Sequence, residues 1–111
     1  MEKQMHAQDG YGIYLASLIK ERGFSQSEFA KLINVSRTYL YDLFNGRVKP
    51  PAPEMQEKII SVLGLSGNGK EEFYNRTAAG RGEIPKDIFE YLFNNESEIS
   101  MLRERMQTYN V

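Results

Sequence analysis

One short stretch of the chain carries side chains suited to hydrogen-bonded recognition. Arg37 offers a planar fork of donors, and Thr38 offers a hydroxyl that donates or accepts. Tyr41 adds a second hydroxyl, and Asp42 adds a carboxylate that accepts. Because this spacing places the four side chains on one face of a helix, they could together read the edges of base pairs in a DNA groove.

The rest of the chain has little that could support catalysis or metal binding. It contains no cysteine, which removes disulfides, thiol nucleophiles and thiolate metal ligands together. The single histidine, His6, lies in a polar leader where we expect it to be solvated. No pair of polar residues has the spacing of a nucleophile with its base, or of metal ligands. We therefore expect a protein that is not an enzyme and that holds no metal and no cofactor.

Composition and charge favour one compact, weakly charged domain. The chain has 111 residues, 41% of them hydrophobic, which is enough for a single core. The net charge is −1, but residues 1–50 carry +2 and residues 51–111 carry −3, a small bias in the direction that DNA binding requires. There is no run of roughly 18 apolar residues and the start of the chain is polar, so we expect a cytoplasmic protein without a membrane span or secretory signal.

Apolar residues recur at helical spacing along the chain, which predicts an all-α protein. A first helix is expected from Tyr11 to Arg22. An extended connection over 47–53 leads to a fourth helix, expected from Pro53 to about Leu63. The glycines of 64–69 predict a turning linker, and a fifth helix is expected from about Lys70 to Ala79.

A capping box marks the start of the second helix. Ser25 and Glu28 stand three residues apart ahead of an apolar run, so each side chain can bond the other's backbone amide. We expect this helix to end near Ile33, and Ala30 is the small residue that lets another helix cross closely. Asn34 then lies where the chain must turn sharply, because asparagine tolerates the left-handed conformation.

The third helix is expected from Arg37 to Phe44. Ser36 can cap its start, and Asn45 with Gly46 can end it. We expect Leu40, Leu43 and Phe44 to form the apolar side of this helix and to face the core. Val35 of the turn should point inward as well. The exposed first half of such a helix is the part that enters a major groove.

A family resemblance follows from these residues. It lies in the segment SQSEFAKLINVSRTYLYDLFNG of Ser25–Gly46, with Pro50 following, which resembles the Cro/C1-type (XRE) helix-turn-helix family of phage repressors and related bacterial regulators. It covers roughly Tyr11 to Leu63. The resemblance implies a lambda-repressor-like five-helix DNA-binding domain over 8–79, with a helical C-terminal extension over 80–111.

The resemblance also implies double-stranded DNA as the partner and assigns roles to single positions. The base-reading positions are held by Arg37, Thr38, Tyr41 and Asp42. The phosphate-contacting positions are held by Gln26, Ser36, Tyr39, Asn45, Arg47 and Lys49. The sequence departs from the family pattern at Asn34, which replaces the usual glycine of the turn, and at Asp42. The carboxylate of Asp42 can accept from a cytosine amino group or can repel phosphate.

Two apolar stripes follow the fifth helix. Pro85 is expected to open a helix, and Asn95 with Glu98 to cap another. The stripes consist of Ile88, Phe89, Leu92, Phe93 and of Ile99, Leu102, Met106. Exposed stripes usually mark an interface, and a single helix-turn-helix makes too few contacts, so we expect a homodimer held by 85–109. The alternative is that 85–109 folds back over helices one and five of its own subunit.

Simpler explanations exist for the site residues as well. Gln26 and Asn45 can be ordinary helix-end residues, and Arg37 can form a surface ion pair with Asp42 or Glu28. Tyr39 and Tyr41 can be partly buried.

The leading prediction is an operator-binding repressor of a phage or other mobile element. The alternative is a protein-interaction or inhibitory module that uses its C-terminal helices to bind a protein partner, which the modest charge favours.

Overall fold

The structure is a computed structural model that describes the backbone of residues 3–109 and the side chains of residues 10–108. His6, expected to be solvated, lies outside the described side chains. This part of the chain forms helices and no strand, which confirms the predicted all-α fold. The helices are α1 (Lys3–Glu21), α2 (Gln26–Leu32), α3 (Arg37–Phe44), α4 (Pro53–Leu63), α5 (Gly67–Arg81), α6 (Lys86–Phe93) and α7 (Glu96–Tyr109).

Helices α1 to α5 enclose one apolar core. α1 packs against α5, α3 and α2, and α4 packs against α5. The most deeply buried large side chains are Tyr11, Leu15, Ile19, Phe29, Ile33, Leu40, Leu43, Ile59 and Phe73. Inside this core, the Thr77 hydroxyl donates to the Phe73 carbonyl (2.7 Å), so the Tyr11 hydroxyl donates to Thr77 (3.0 Å) and ties α1 to α5.

Several helix ends lie where the local capping residues predict them. Ser25 Oγ accepts from the Glu28 amide (3.1 Å), and Glu28 Oε1 accepts from the Ser25 amide (3.0 Å), so the capping box is present. Asn34 has a φ of 61°, which confirms the left-handed turn between α2 and α3. Pro53 is the first residue of α4, and Gly64 ends it in the left-handed conformation.

Two predicted helix starts are wrong. α1 begins at Lys3, well before Tyr11; the leader lacks an apolar stripe, but lysine, glutamine, methionine and alanine, which favour helix, make up most of it. α5 begins at Gly67 and runs to Arg81, so half of the predicted linker is helical. Glycine there costs only about 1 kcal/mol, which the burial of Phe73 and its neighbours offsets. Asn95 directly precedes α7, as predicted, although its side-chain amide donates to the Tyr91 carbonyl of α6 (2.8 Å).

Helices α6 and α7 form a C-terminal arm on this five-helix core. α6 packs against α5 and is pinned to α4, because Lys86 Nζ lies 3.0 Å from a Glu57 oxygen that also accepts from the Tyr74 hydroxyl. α7 packs against α6. The alternative in which 85–109 folds back over α1 and α5 is met only in part, because α6 reaches α5 while none of its residues is buried. The apolar stripe of α6 remains exposed because only one end of the arm rests on the core.

Candidate nucleic-acid interface

α3 is held from below by the core and at its start by a cap. Leu40 and Leu43 are buried, and Ser36 Oγ accepts from the Tyr39 amide (3.0 Å). At the far end, Gly12 of α1 touches the backbone of Phe44. With these contacts fixed, the exposed face of α3 is presented outward on a rigid support.

The starts of α2 and α3 together form an open cleft of about 320 Å³. Its lining residues are Gln26, Arg37, Thr38, Leu40, Tyr41 and Phe44. The cleft thus brings three of the predicted base-reading side chains beside Gln26, a predicted phosphate contact. Arg37 and Thr38 are exposed, and Tyr41 is 60% exposed although its ring is apolar. These side chains are free to meet a ligand laid across α3.

Asp42 is set apart from this group by an ion pair. Its Oδ1 lies 3.2 Å from Nη1 of Arg47, one of the predicted phosphate contacts. Glu28 is occupied by the Ser25 amide. The expected alternative, in which Arg37 pairs with Asp42 or Glu28, is therefore wrong, and within the described residues Arg37 forms no salt bridge.

The other predicted phosphate contacts differ in their surroundings. Asn45 is exposed and its amide donates to the Tyr41 carbonyl (2.8 Å), and Lys49 is exposed as well. Tyr39 is half-buried against the core, and this burial raises the pKa of its hydroxyl, opposed by the charge of Arg81. Tyr39 is thus the member of the predicted set that packing alone can explain.

Sequence reasoning missed two residues that position this face. Arg81, the last residue of α5, donates from Nη1 to the Pro50 carbonyl (2.9 Å) and from Nε to Glu83 (3.0 Å). It therefore tethers the loop that carries Arg47 and Lys49 to the end of α5. Gly12, the other residue, has no side chain and sits inside a helix. Neither residue carries a local signal, because both act across long sequence separations.

The described residues offer recognition chemistry. They include no group of three or more His, Cys, Asp or Glu side chains that could hold a metal ion. None of the helices between Lys3 and Tyr109 is long and apolar enough to cross a membrane. What the cleft does present is a guanidinium, two hydroxyls and an amide, which are donors and acceptors suited to base edges and phosphate.

Comparison with known proteins identifies this part of the chain. A family model described as helix-turn-helix matches residues 15–69, which include all of α2, α3 and α4. No curated protein and no solved structure matches the chain. The matched segment carries the capping box, the left-handed turn at Asn34 and the exposed face of α3 described above. The chain therefore belongs to the Cro/C1-type helix-turn-helix family of DNA-binding regulators, the XRE family.

Proposed function

We propose that the protein is a cytoplasmic, sequence-specific transcriptional repressor that inserts α3 into the major groove of an operator. The observation that carries this proposal is the open cleft at the starts of α2 and α3, where Arg37, Thr38 and Tyr41 stand exposed beside Gln26. Repression requires only that the bound protein occlude the DNA. A five-helix domain with a dimerisation arm is sufficient for that.

Arg37 is the side chain best suited to specify a base. Its planar fork can donate to both O6 and N7 of guanine, and in the described structure no ion pair competes for it. Thr38 and Tyr41 add hydroxyls beside it. Asp42 can accept from the amino group of cytosine, and the nearby Arg47 offsets the repulsion between its carboxylate and phosphate.

The remaining polar residues of this face are proposed to hold the DNA backbone. Such contacts fix register and orientation without reading sequence. They surround α3 at the start of α2, at both ends of α3 and in the loop after it. The proposed phosphate contacts are Gln26, Ser36, Tyr39, Asn45, Arg47 and Lys49.

Two copies are proposed to bind two half-sites of an inverted repeat. A single helix-turn-helix makes few contacts, and a symmetric dimer doubles them. The C-terminal arm offers the surface, because most of its large apolar side chains are exposed. The proposed interface residues are Ile88, Phe89, Leu92, Phe93, Ile99, Leu102 and Met106.

A binding titration tests the DNA-reading role of Arg37. We expect Arg37→Ala to weaken binding to a selected operator by about 1–3 kcal/mol and to relax the preference at one base pair in each half-site. A phosphate contact would instead weaken binding equally on all sequences and lower the salt slope by about one unit.

The matched control is Lys58→Ala, which removes one positive charge from an exposed site on α4. It should leave the preference for the operator over scrambled DNA unchanged. Circular dichroism checks that both variants are folded. If folded Arg37→Ala binds both DNAs as the parent chain does, α3 does not read DNA through Arg37, and the protein-interaction alternative gains support.

A further inference from the structure

The chain exposes more surface than a compact protein of its size. Its accessible surface is 7712 Å², whereas a compact monomer of 12.8 kDa exposes about 6,300 Å². The excess of about 1,400 Å² is larger than the roughly 800 Å² that each partner buries in an interface of standard size. Much of the exposed apolar surface lies on the arm, so the arm can supply one half of a stable interface.

A pocket of about 510 Å³ opens where the arm joins the five-helix core. Its apolar walls include Ala78 of α5, Ile84 of the connection and Phe89 of α6. Lys86 and Glu90 lie at its edge but bond to each other (2.6 Å), so neither presents an unpaired charge. An opening with apolar walls and neutralised edges favours an apolar side chain as its occupant.

The opposite end of α6 carries a side chain of that kind. Phe93 is 74% exposed, the largest exposure among the large hydrophobic residues of the described structure. Its ring stacks on that of Phe89, with centroids 6.2 Å apart and planes 18° apart. One helix thus presents an aromatic side chain at one end and a pocket at the other.

A two-fold axis demands this kind of self-complementarity, in which residue i meets residue j and residue j meets residue i. Phe89 and Phe93 are one turn apart, about 6 Å along the helix axis. If two α6 helices run antiparallel about an axis between these residues, each Phe93 lies at the pocket of the other copy.

We propose that two copies of this chain dimerise through antiparallel α6 helices, with Phe93 of each copy seated in the pocket that Phe89 and Ile84 line in the other. The proposal rests on the dimeric operator binding proposed above and specifies how the dimer is built. It makes Phe93 the central anchor, since aromatic side chains that fill pockets dominate the affinity of interfaces.

Disulfide trapping tests the pairing directly, because the chain has no cysteine of its own. The full-length variants Ile84→Cys and Phe93→Cys are mixed, one of them carrying a size tag, and oxidised mildly. We expect the disulfide between residue 84 of one copy and residue 93 of the other to dominate. A dominant link between two residues 93 would place these residues at the axis and would overturn the proposal.

A second variant covers the case in which cysteine at position 93 itself weakens the dimer. The chain has no tryptophan, so Phe93→Trp supplies a single fluorophore. Its emission should shift to shorter wavelength as protein concentration rises through the dimerisation range measured by sedimentation. Emission that stays at the solvent-exposed wavelength in the dimer, or a parent chain that sediments as a monomer at high micromolar concentration, overturns the proposal.

Substitution of the anchor separates this proposal from the DNA-binding one. Phe93→Ala should weaken dimerisation at least tenfold, whereas Ile13→Ala, which trims a 71% exposed side chain of α1, should leave it unchanged. Equal dimerisation constants for the two variants contradict the proposal. Binding of Phe93→Ala to DNA with one half-site should match that of the parent chain; a loss there would point to a failure of DNA recognition instead.

Discussion

A β-carbon on Gly12 would stand 2.0 Å from the carbonyl oxygen of Phe44. The two helices α1 and α3 therefore meet backbone to backbone at the end of α3, and only glycine permits that approach. We expect Gly12→Ala to cost about 3 kcal/mol of unfolding free energy, because backbone atoms on both sides would have to move. Thermal unfolding followed by circular dichroism measures this loss.

Gly10 provides the control for this substitution. It lies in the same helix, and a β-carbon there would meet nothing within 4 Å. Gly10→Ala should leave the melting temperature unchanged or raise it, since alanine favours helix by up to about 1 kcal/mol. Similar melting temperatures for the two alanine variants would show that the contact at Phe44 can relax without cost.

The turn between α2 and α3 gives a second prediction. Asn34 holds a φ of 61°, a conformation that costs most residues with a side chain about 1–2 kcal/mol. Asn34→Ala should therefore destabilise the fold by about 1 kcal/mol, while Asn34→Gly should stay within about 0.5 kcal/mol of the parent chain. Urea unfolding of both variants checks the order. Alanine and glycine variants of equal stability would mean that the turn readjusts.

The Asp42–Arg47 pair gives a third prediction, on DNA binding. Arg47 is exposed and Asp42 is partly exposed, so Asp42→Asn should change the unfolding free energy by less than about 1 kcal/mol. Removal of the carboxylate frees Arg47 and lowers the repulsion of phosphate, so binding to scrambled DNA should tighten and depend more steeply on salt. Titrations at several salt concentrations measure this. Unchanged binding to scrambled DNA would mean that this pair does not face the duplex.

A fourth prediction concerns the acid sensitivity of the arm. Partial burial of Glu57 opposes ionisation, but hydrogen bonds from Tyr74 and Lys86 and the Lys86 charge outweigh it and lower the pKa of this carboxyl. A lowered pKa stabilises the fold above the pKa of an unfolded glutamate, and this stabilisation is lost as pH falls through the folded value. The parent chain should thus lose more stability than Glu57→Gln between about pH 6 and about pH 3.

Glu71→Gln is the matched control, because Glu71 is an exposed glutamate of α5. It should follow the parent chain over the same pH range. Melting temperatures of the three proteins at several pH values make the comparison. If Glu57→Gln loses as much stability on acidification as the parent chain, the bridge from α4 to Lys86 does not stabilise the fold.

The features that sequence reasoning predicted correctly are those that nearby residues determine. The capping box at Ser25, the left-handed turn at Asn34 and the proline at the start of α4 each depend on two to four consecutive residues. The exposed face of α3 follows from the same local pattern. The start of α5 was misjudged because three glycines in a short segment predict a turn, whereas only Gly64 lies in the turn and tertiary packing keeps the other two in the helix.

What could not be predicted depends on residues far apart in the chain. The approach of Gly12 to Phe44 and the bond from Arg81 to the Pro50 carbonyl require knowledge of how the helices pack. The ion-pair partner of Asp42 could not be predicted either. Arg37 and Arg47 both lie near Asp42 in the sequence, and the path of the chain after α3 brings Arg47 to it.

The anchoring of the arm at Lys86 bears on the half-site spacing of the proposed dimer. Lys86 joins α6 to Glu57 of α4, so the arm is fastened to the DNA-binding core by a side chain as well as by the connection at Gly82. In a dimer built through such arms, the protein sets both the separation and the rotational phase of the two α3 helices. One base pair inserted between half-sites rotates one of them by about 35° around the duplex. A stiff dimer therefore fits only one spacing between half-sites. When that spacing changes, the α3 helix of the second copy no longer faces the major groove.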